Sequence, residues 1–177
     1  NRNQKKNWIR QRKRVVSSTD SRGPVAYKRS AEKYLLVDGY NIIFAWDSLN
    51  RLAGKDNLDG ARIRLQDMLC NYQAYKHVKL IVVFDAYKIK GNAGSIENYH
   101  NIQVVFTKEA QTADAYIEQF THEHGKTYDI TVATSDALEQ MIVLGQGAKR
   151  LSAREFLLEM NAMEQELKER YLDREWE

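Results

Sequence analysis

Leu80-Ile81-Val82-Val83-Phe84-Asp85 is an uninterrupted apolar run that ends in a carboxylate. The run is rich in β-branched side chains, which favour strands over helices. Its continuous apolarity is typical of a strand that is buried on both faces, as parallel strands in α/β proteins are. This stretch therefore predicts a central strand of a mostly parallel sheet.

Three similar runs lie elsewhere in the chain, and each also precedes an aspartate. They are Tyr34–Val37 before Asp38, Ile102–Phe106 some residues before Asp114, and Ile130–Ala133 before Asp136. The segments between and after these runs carry apolar residues at helical spacing, notably 58–75, 113–124, 135–145 and 152–171. Strands that alternate with helices predict an α/β fold, a three-layer α/β/α sandwich around a mostly parallel sheet. The last helix starts at a capping-box pattern and carries heavily charged outer faces, which indicates a helix packed across the sheet with a solvated tail.

The four aspartates at the strand ends are the candidate catalytic residues. Because parallel strands end at the same edge of a sheet, Asp38, Asp85, Asp114 and Asp136 are expected to meet in one crevice. Carboxylates that close repel one another and are usually held ionised by a divalent cation. Oxygen ligands suit Mg²⁺ or Mn²⁺, and the chemistry that such a site favours is phosphodiester hydrolysis. Each acid also has a plainer explanation as a turn, capping or helix-dipole residue, and Glu109 is a weaker fifth candidate.

The amino-acid composition limits the classes of protein to which this chain can belong. The 177 residues are 43% hydrophobic, enough for one domain with a continuous core. The apolar stretches are far shorter than the roughly 20 residues that cross a bilayer, so no membrane span is expected. A single cysteine, Cys70, leaves no internal disulfide and no cysteine-based zinc site, which favours a reducing compartment such as the cytoplasm.

The first 33 residues form a basic arm. They contain 11 Lys and Arg against two acids, Asp20 and Glu32, whereas the rest of the chain has a net charge of −6. Such an arm is the electrostatic signature of a polyanion partner, and a nucleic acid is the partner that we expect. A solvated tail and the remnant of an organellar transit peptide are alternatives, and the latter would place the protein in an organellar stroma. Since the sequence begins with Asn1, we also expect it to come from a longer product, such as a larger translation-associated protein.

Basic side chains near the predicted acidic edge are candidates for gripping the phosphates of RNA. They are Arg62, Lys88, Lys90, Lys108, Lys149 and Arg150. Two of them lie in residues 86–100, which the sequence predicts to be a flexible basic loop. Ordinary surface solubility explains each of the six equally well.

Two other enzyme classes built on similar sheets fit less well. A phosphatase of the haloacid-dehalogenase type needs a second aspartate two residues after Asp38, where Tyr40 stands. A dinucleotide-binding domain needs a glycine fingerprint after the first strand, which is absent. A non-catalytic module that binds RNA or the ribosome remains the alternative function.

Six short motifs, taken in order, resemble one known family. They are 37–41 (VDGYN), 83–86 (VFDA), 106–109 (FTKE), 112–114 (TAD), 133–136 (ATSD) and 145–148 (GQGA). Together they resemble the YacP-like branch of the NYN-domain ribonucleases, relatives of the PIN-domain nucleases. The resemblance covers about residues 33–171, so the domain is expected over 34–177 with the basic arm outside it.

The resemblance implies a metal-dependent endoribonuclease with a PIN-like fold, in a branch that includes a nuclease cutting messenger RNA on the ribosome. By motif, it makes Asp38 and Asp114 the principal metal ligands and lets Asp136 complete the cluster. Asp85 would be a further acid of the NYN type. Asn41 would orient a ligand or the scissile phosphate through its amide. Phe44 stands where a small residue is expected in this branch, which would alter the entry to the crevice.

Overall fold

A six-stranded sheet organises residues 31–86 and 90–175, the part of the chain that this computed structural model describes. The strands are β1 (Lys33–Asp38), β2 (Lys79–Phe84), β3 (Ser95–Tyr99), β4 (Ile102–Phe106), β5 (Asp129–Thr134) and β6 (Lys149–Ser152). The helices are α1 (Gly39–Ala45), α2 (Asp47–Ala53), α3 (Leu58–Lys76), α4 (Ala113–His124), α5 (Ala137–Gly145) and α6 (Ala153–Glu175). The basic arm and Lys88 lie outside the described residues, apart from residues 31–33 at the end of the arm.

The sheet has the strand order β3-β4-β2-β1-β5-β6, and every neighbouring pair is parallel except β3 with β4. The two central strands are β1 and β2, as the apolar run Leu80–Phe84 predicts. In β1, Leu36 belongs to the core on one face of the sheet, and Leu35 and Val37 belong to the core on the other. The strand is therefore buried on both sides, which confirms the three-layer α/β/α sandwich.

Helices cover both faces of the sheet. One core joins the sheet to α1, α2, α3 and α6 through buried residues such as Ile43, Leu65 and Phe156. The opposite core joins it to α4 and α5 through Ile117 and Val143. Helix α6 buries its first half, down to Met163, and leaves residues 167–175 exposed, in agreement with the predicted solvated tail.

Two strands escape prediction because their sequences are polar. The sequence predicts a flexible basic loop over 86–100, but 95–99 form the antiparallel edge strand β3, whose first four residues are exposed. The preceding turn is also tied down, since Asn92 Nδ2 donates to the carbonyl of Thr107 at 2.9 Å. Among the described residues, the short strand β6, Lys149–Ser152, pairs only with β5. Edge strands need no apolar alternation because water covers much of their surface.

In the described ranges, none of the helices is both long and apolar enough to cross a membrane.

Gly39 marks the tight junction between β1 and α1, and it supports our first prediction. A Cβ at this position would lie 2.4 Å from Phe84 Cε1, and Phe84 is fully buried. We expect Gly39→Ala to lower the free energy of unfolding by about 1–3 kcal/mol, because the ring of Phe84 must move within a filled core. Urea unfolding followed by circular dichroism measures this difference.

The matched control is Gly145→Ala at the end of α5, where no heavy atom lies within 4 Å of the added Cβ. It should leave stability nearly unchanged. Equal stabilities of the Gly39→Ala variant and the unmodified protein would show that the junction is not tightly packed.

Candidate active site

Three acidic side chains meet at the carboxyl-terminal edge of the parallel strands. Asp38 is the last residue of β1, Asp114 lies in the first turn of α4, and Glu139 lies in the first turn of α5. Each of the three carboxylates places an oxygen within 4.8 Å of the other two. We call these three residues the acidic cluster.

The acidic cluster is largely shielded from water. Asp38 is 7% exposed and Glu139 is 2% exposed, and Asp114 is partly buried. Burial raises the pKa of Asp38 above its ordinary value of 3.8, and the neighbouring charge of Asp114 raises it further. Burial raises the pKa of Glu139 as well, and the charges of Asp38 and Asp114 raise it further. Without a cation, Asp38 and Glu139 therefore tend to hold protons.

The hydrogen bonds of Glu139 leave one oxygen for another partner. Its Oε2 accepts from the hydroxyl of Thr134 at 2.9 Å. Its Oε1 is buried and has no hydrogen-bond partner among the described residues. A buried carboxylate oxygen without a partner costs free energy, which a cation ligated there would recover. The donor set consists of oxygens alone, and Mg²⁺ and Mn²⁺ prefer this type of ligand.

Asp136 lies beside the acidic cluster but uses its side chain differently. Its Oδ1 accepts from the backbone N–H groups of Leu138 at 2.9 Å and Glu139 at 3.3 Å, so it caps α5. The acidic cluster thus contains Glu139 in the place where the sequence suggested Asp136 as third ligand. Contact of Asp136 with a bound cation stays a prediction.

Sequence reasoning missed Glu139, although a signal was present. Asp136 and Glu139 have the spacing of a capping box, in which the fourth residue lies in the first helical turn. A glutamate in that turn lies near the helix start, and this helix starts at the acidic edge.

Asn41 and Asp85 hold neighbouring loops in place. The Oδ1 atom of Asn41 accepts from the backbone N–H of Ser135 at 2.5 Å and also from the Ser135 hydroxyl, so α1 is tied to the end of β5. The Oδ2 atom of Asp85 accepts from the N–H of Ala113 at 3.4 Å, at the start of the helix that carries Asp114. Both residues lie at the predicted edge, and their catalytic roles stay predictions.

Glu109, the weaker fifth candidate, is not part of the acidic cluster. Its Oε2 accepts from the N–H of Gly91 at 2.8 Å.

The basic residues that were predicted to contact RNA do not all lie near the same part of the sheet. Arg62 approaches the acidic edge, because its Nη1 donates to the hydroxyl of Tyr40 at 2.9 Å, and Tyr40 follows Asp38 closely in the chain. Lys90 and Lys108 are exposed in the segments that follow β2 and β4.

Lys149 was expected near the acidic edge, but it lies toward the opposite end of the sheet. It begins β6 in register with Thr131, and its Nζ lies 3.2 Å from Asp129, the first residue of β5. Because β6 runs parallel to β5, its first residue lies about three strand positions, roughly 10 Å, below the level of Thr134. Arg150 follows it, and its Nη1 donates to Gln140 Oε1 at 3.4 Å.

Comparisons with known proteins identify relatives over most of the chain. The family model described as "YacP-like NYN domain" matches residues 35–176. The protein called "Uncharacterized protein YacP" of Bacillus subtilis (strain 168) is 43% identical over 137 residues, which cover 77% of this chain and 79% of that protein.

Two solved structures of Rae1 (YacP) from Bacillus subtilis share the fold. One of them, a crystal structure of a tryptophan-to-leucine mutant, has a TM-score of 0.71 and 39% identity, and the match covers 82% of this chain and 85% of that chain. A second crystal structure of Rae1 (YacP) has a TM-score of 0.66 and 40% identity, and the match covers 79% of this chain and 80% of that one.

Proposed function

Because the chain belongs to the YacP-like NYN domain family, we propose that it is a metal-dependent endoribonuclease that hydrolyses phosphodiester bonds of RNA. The observation that carries this proposal is the acidic cluster, which brings three carboxylates within 4.8 Å of one another at the edge where the strands end. Membership of a family of NYN nucleases indicates the class of reaction, and the acidic cluster provides the ligands for the metal ion.

Asp38, Asp114 and Glu139 would hold the cation. A divalent cation bound to such oxygens lowers the pKa of water and neutralises charge on a phosphodiester. Either Mg²⁺ or Mn²⁺ satisfies this requirement.

The protein keeps the ligands in place through neighbouring groups. The Thr134 hydroxyl donates to Glu139 Oε2 and therefore fixes the direction of that carboxylate. The N–H of Asp136 donates to Thr134 Oγ1 at 3.1 Å, so the hydroxyl itself is oriented. Asn41 joins α1 to Ser135 and thereby keeps the ends of β1 and β5 together. This second layer of hydrogen bonds preorganises the acidic cluster, as outer-shell partners do in metal enzymes.

We extend the proposal to messenger RNA on the ribosome as substrate, in the cytoplasm or an organellar stroma. The resemblance to a branch that includes a nuclease cutting messenger RNA on the ribosome supports this extension. The excess of Lys and Arg in residues 1–33 also supports it, since a basic arm favours binding to RNA.

Cation dependence tests the proposal. We expect a labelled single-stranded RNA to be cut internally in Mg²⁺ or Mn²⁺ and to stay intact in EDTA, with cleavage restored when the cation is returned. Gel analysis of end-labelled fragments measures this. RNA binding without cleavage under all of these conditions would instead support the non-catalytic RNA-binding module.

A further inference from the structure

A line of four aromatic rings reaches the surface beside the acidic cluster. The rings belong to Phe106 at the end of β4, Phe84 at the end of β2, and Tyr40 and Phe44 on α1. The centroids of successive rings lie 5.5, 5.1 and 6.3 Å apart, all within the range of favourable aromatic contacts. We call this line the aromatic column.

The outer end of the aromatic column is exposed to solvent. Phe84 is fully buried, whereas Phe44 is 56% exposed. The rings of Tyr40 and Phe44 are nearly parallel, with an interplanar angle of 25°. A flat ligand ring that stacks on Phe44 would therefore also lie nearly parallel to the ring of Tyr40.

A guanidinium group lies along the side of the aromatic column. Arg62 Nη1 donates to the Tyr40 hydroxyl at 2.9 Å, and Arg62 Cζ lies 5.9 Å from the centroid of the Phe106 ring. The same guanidinium group forms an ion pair with Asp59, which lies one turn earlier on α3. The exposed ring of Phe44, together with a cation held against other rings of the same column, matches the two parts of a nucleotide, its base and its phosphate.

The aromatic column also lies close to the candidate catalytic edge. Helix α1 begins immediately after Asp38, and Phe44 follows Asp38 by six residues, roughly 9 Å along a helix axis. Solvent-exposed aromatic rings bind single-stranded nucleic acids because every base has a π-face, while duplex bases are already stacked on each other.

We propose that Phe44, supported by Tyr40, is a stacking subsite for an unpaired base of the RNA, and that Arg62, which contacts Tyr40 and Phe106, holds a phosphate of the same strand. This inference rests on the proposed function, and it specifies the substrate as single-stranded at the nucleotides next to the cut. Phe44 is then a residue that determines specificity for unpaired RNA.

The test compares two changes: removal of the Phe44 ring from the protein, and removal of the bases from the oligonucleotide. Affinities are measured in EDTA by fluorescence anisotropy for oligoadenylate of about eight nucleotides and for an abasic oligomer of equal length. The variants are Phe44→Ala and Phe44→Trp. The control is Leu158→Ala, which removes a side chain that is 61% exposed on α6.

We expect Phe44→Ala to weaken binding of oligoadenylate by roughly fivefold to a hundredfold, the effect of removing one stacking contact. Phe44→Trp should restore the affinity, Leu158→Ala should not change it, and the abasic oligomer should bind the Phe44→Ala variant and the unmodified protein equally well. Equal affinities for oligoadenylate would overturn the subsite, and so would an equal loss with both oligomers.

The binding of oligoadenylate tests the stacking subsite, and the cleavage of RNA tests the proposed endoribonuclease activity. A protein that cuts RNA in Mn²⁺ but binds oligoadenylate independently of Phe44 contradicts the subsite alone. A protein that never cuts RNA but shows the base-dependent loss in Phe44→Ala contradicts the endoribonuclease alone.

Discussion

Asp38→Asn is expected to lower kcat/KM for RNA cleavage in Mg²⁺ by more than about 100-fold, which is the upper end of what the loss of an outer-shell partner causes. Asp38 is the most central of the candidate ligands, since it ends the central strand β1 and is only 7% exposed. Asparagine keeps the shape of the side chain but removes the negative charge that attracts the cation. Initial rates of cleavage of a fluorescent RNA, measured against cation concentration, determine the effect.

A loss of folding does not explain such a result. Burial disfavours the charged form of Asp38, so Asn at this position should leave the thermal stability of the metal-free protein unchanged or higher. Asp129→Asn is the matched control, because it makes the same change at the other end of the sheet, where Asp129 pairs with Lys149. Cleavage by the Asp38→Asn variant at the rate of the Asp129→Asn variant would contradict the proposed metal centre.

The second large effect is expected on the stability of the metal-free Glu139→Gln variant. In the metal-free protein, the variant should raise the free energy of unfolding by about 1–3 kcal/mol, the usual cost of a buried polar atom without a partner. The glutamine oxygen can still accept from Thr134, and the amide can donate toward Asp38 and Asp114 in place of the unpartnered Oε1 atom. Chemical unfolding in EDTA measures this difference.

The same substitution should change how stability depends on pH. The folded protein raises the pKa of Asp38 and Glu139 above their ordinary values of 3.8 and 4.5. Their favourable contribution is therefore complete below the ordinary pKa and is lost as the pH rises toward the raised values. The metal-free protein should lose stability as the pH rises from about 4 through about 7, the raised pKa of Asp38, and on toward about 10, the raised pKa of Glu139, and Glu139→Gln should reduce this loss.

Cation binding should stabilise the unmodified protein more than the Glu139→Gln variant. At a free concentration of 100 times Kd, Mg²⁺ stabilises a folded protein that binds it by about 2.7 kcal/mol. We expect this gain in the unmodified protein and little of it in Glu139→Gln. The control is Glu164→Gln, an identical change on the exposed face of α6. A Mg²⁺-induced stabilisation of equal size in Glu139→Gln and Glu164→Gln would remove Glu139 from the metal centre.

Several parts of the fold follow from local sequence. The apolar runs of β1, β2, β4 and β5 lie where the sequence predicts strands, because strands buried on both faces must be apolar on both. Helix α4 begins after Thr112 as expected, and the Thr112 hydroxyl accepts from the N–H of Ala115 at 3.1 Å. The polar strands β3 and β6 were missed, since their positions depend on pairing with a neighbour and not on their own composition.

The amino-acid sequence predicts the α/β class, the central position of β2, the family and the edge at which Asp38 and Asp114 meet. These features depend on periodicity and on the rule that parallel strands end at one edge, and both can be read from the order of residues. By contrast, the tertiary structure was needed to show that Glu139 joins the acidic cluster while Asp136 caps α5. Only it placed Lys149 beside Asp129 and joined Phe44 to the aromatic column. These features depend on how helices pack on the sheet, because this packing sets the direction of a side chain and the partner that it meets, and no local pattern specifies it.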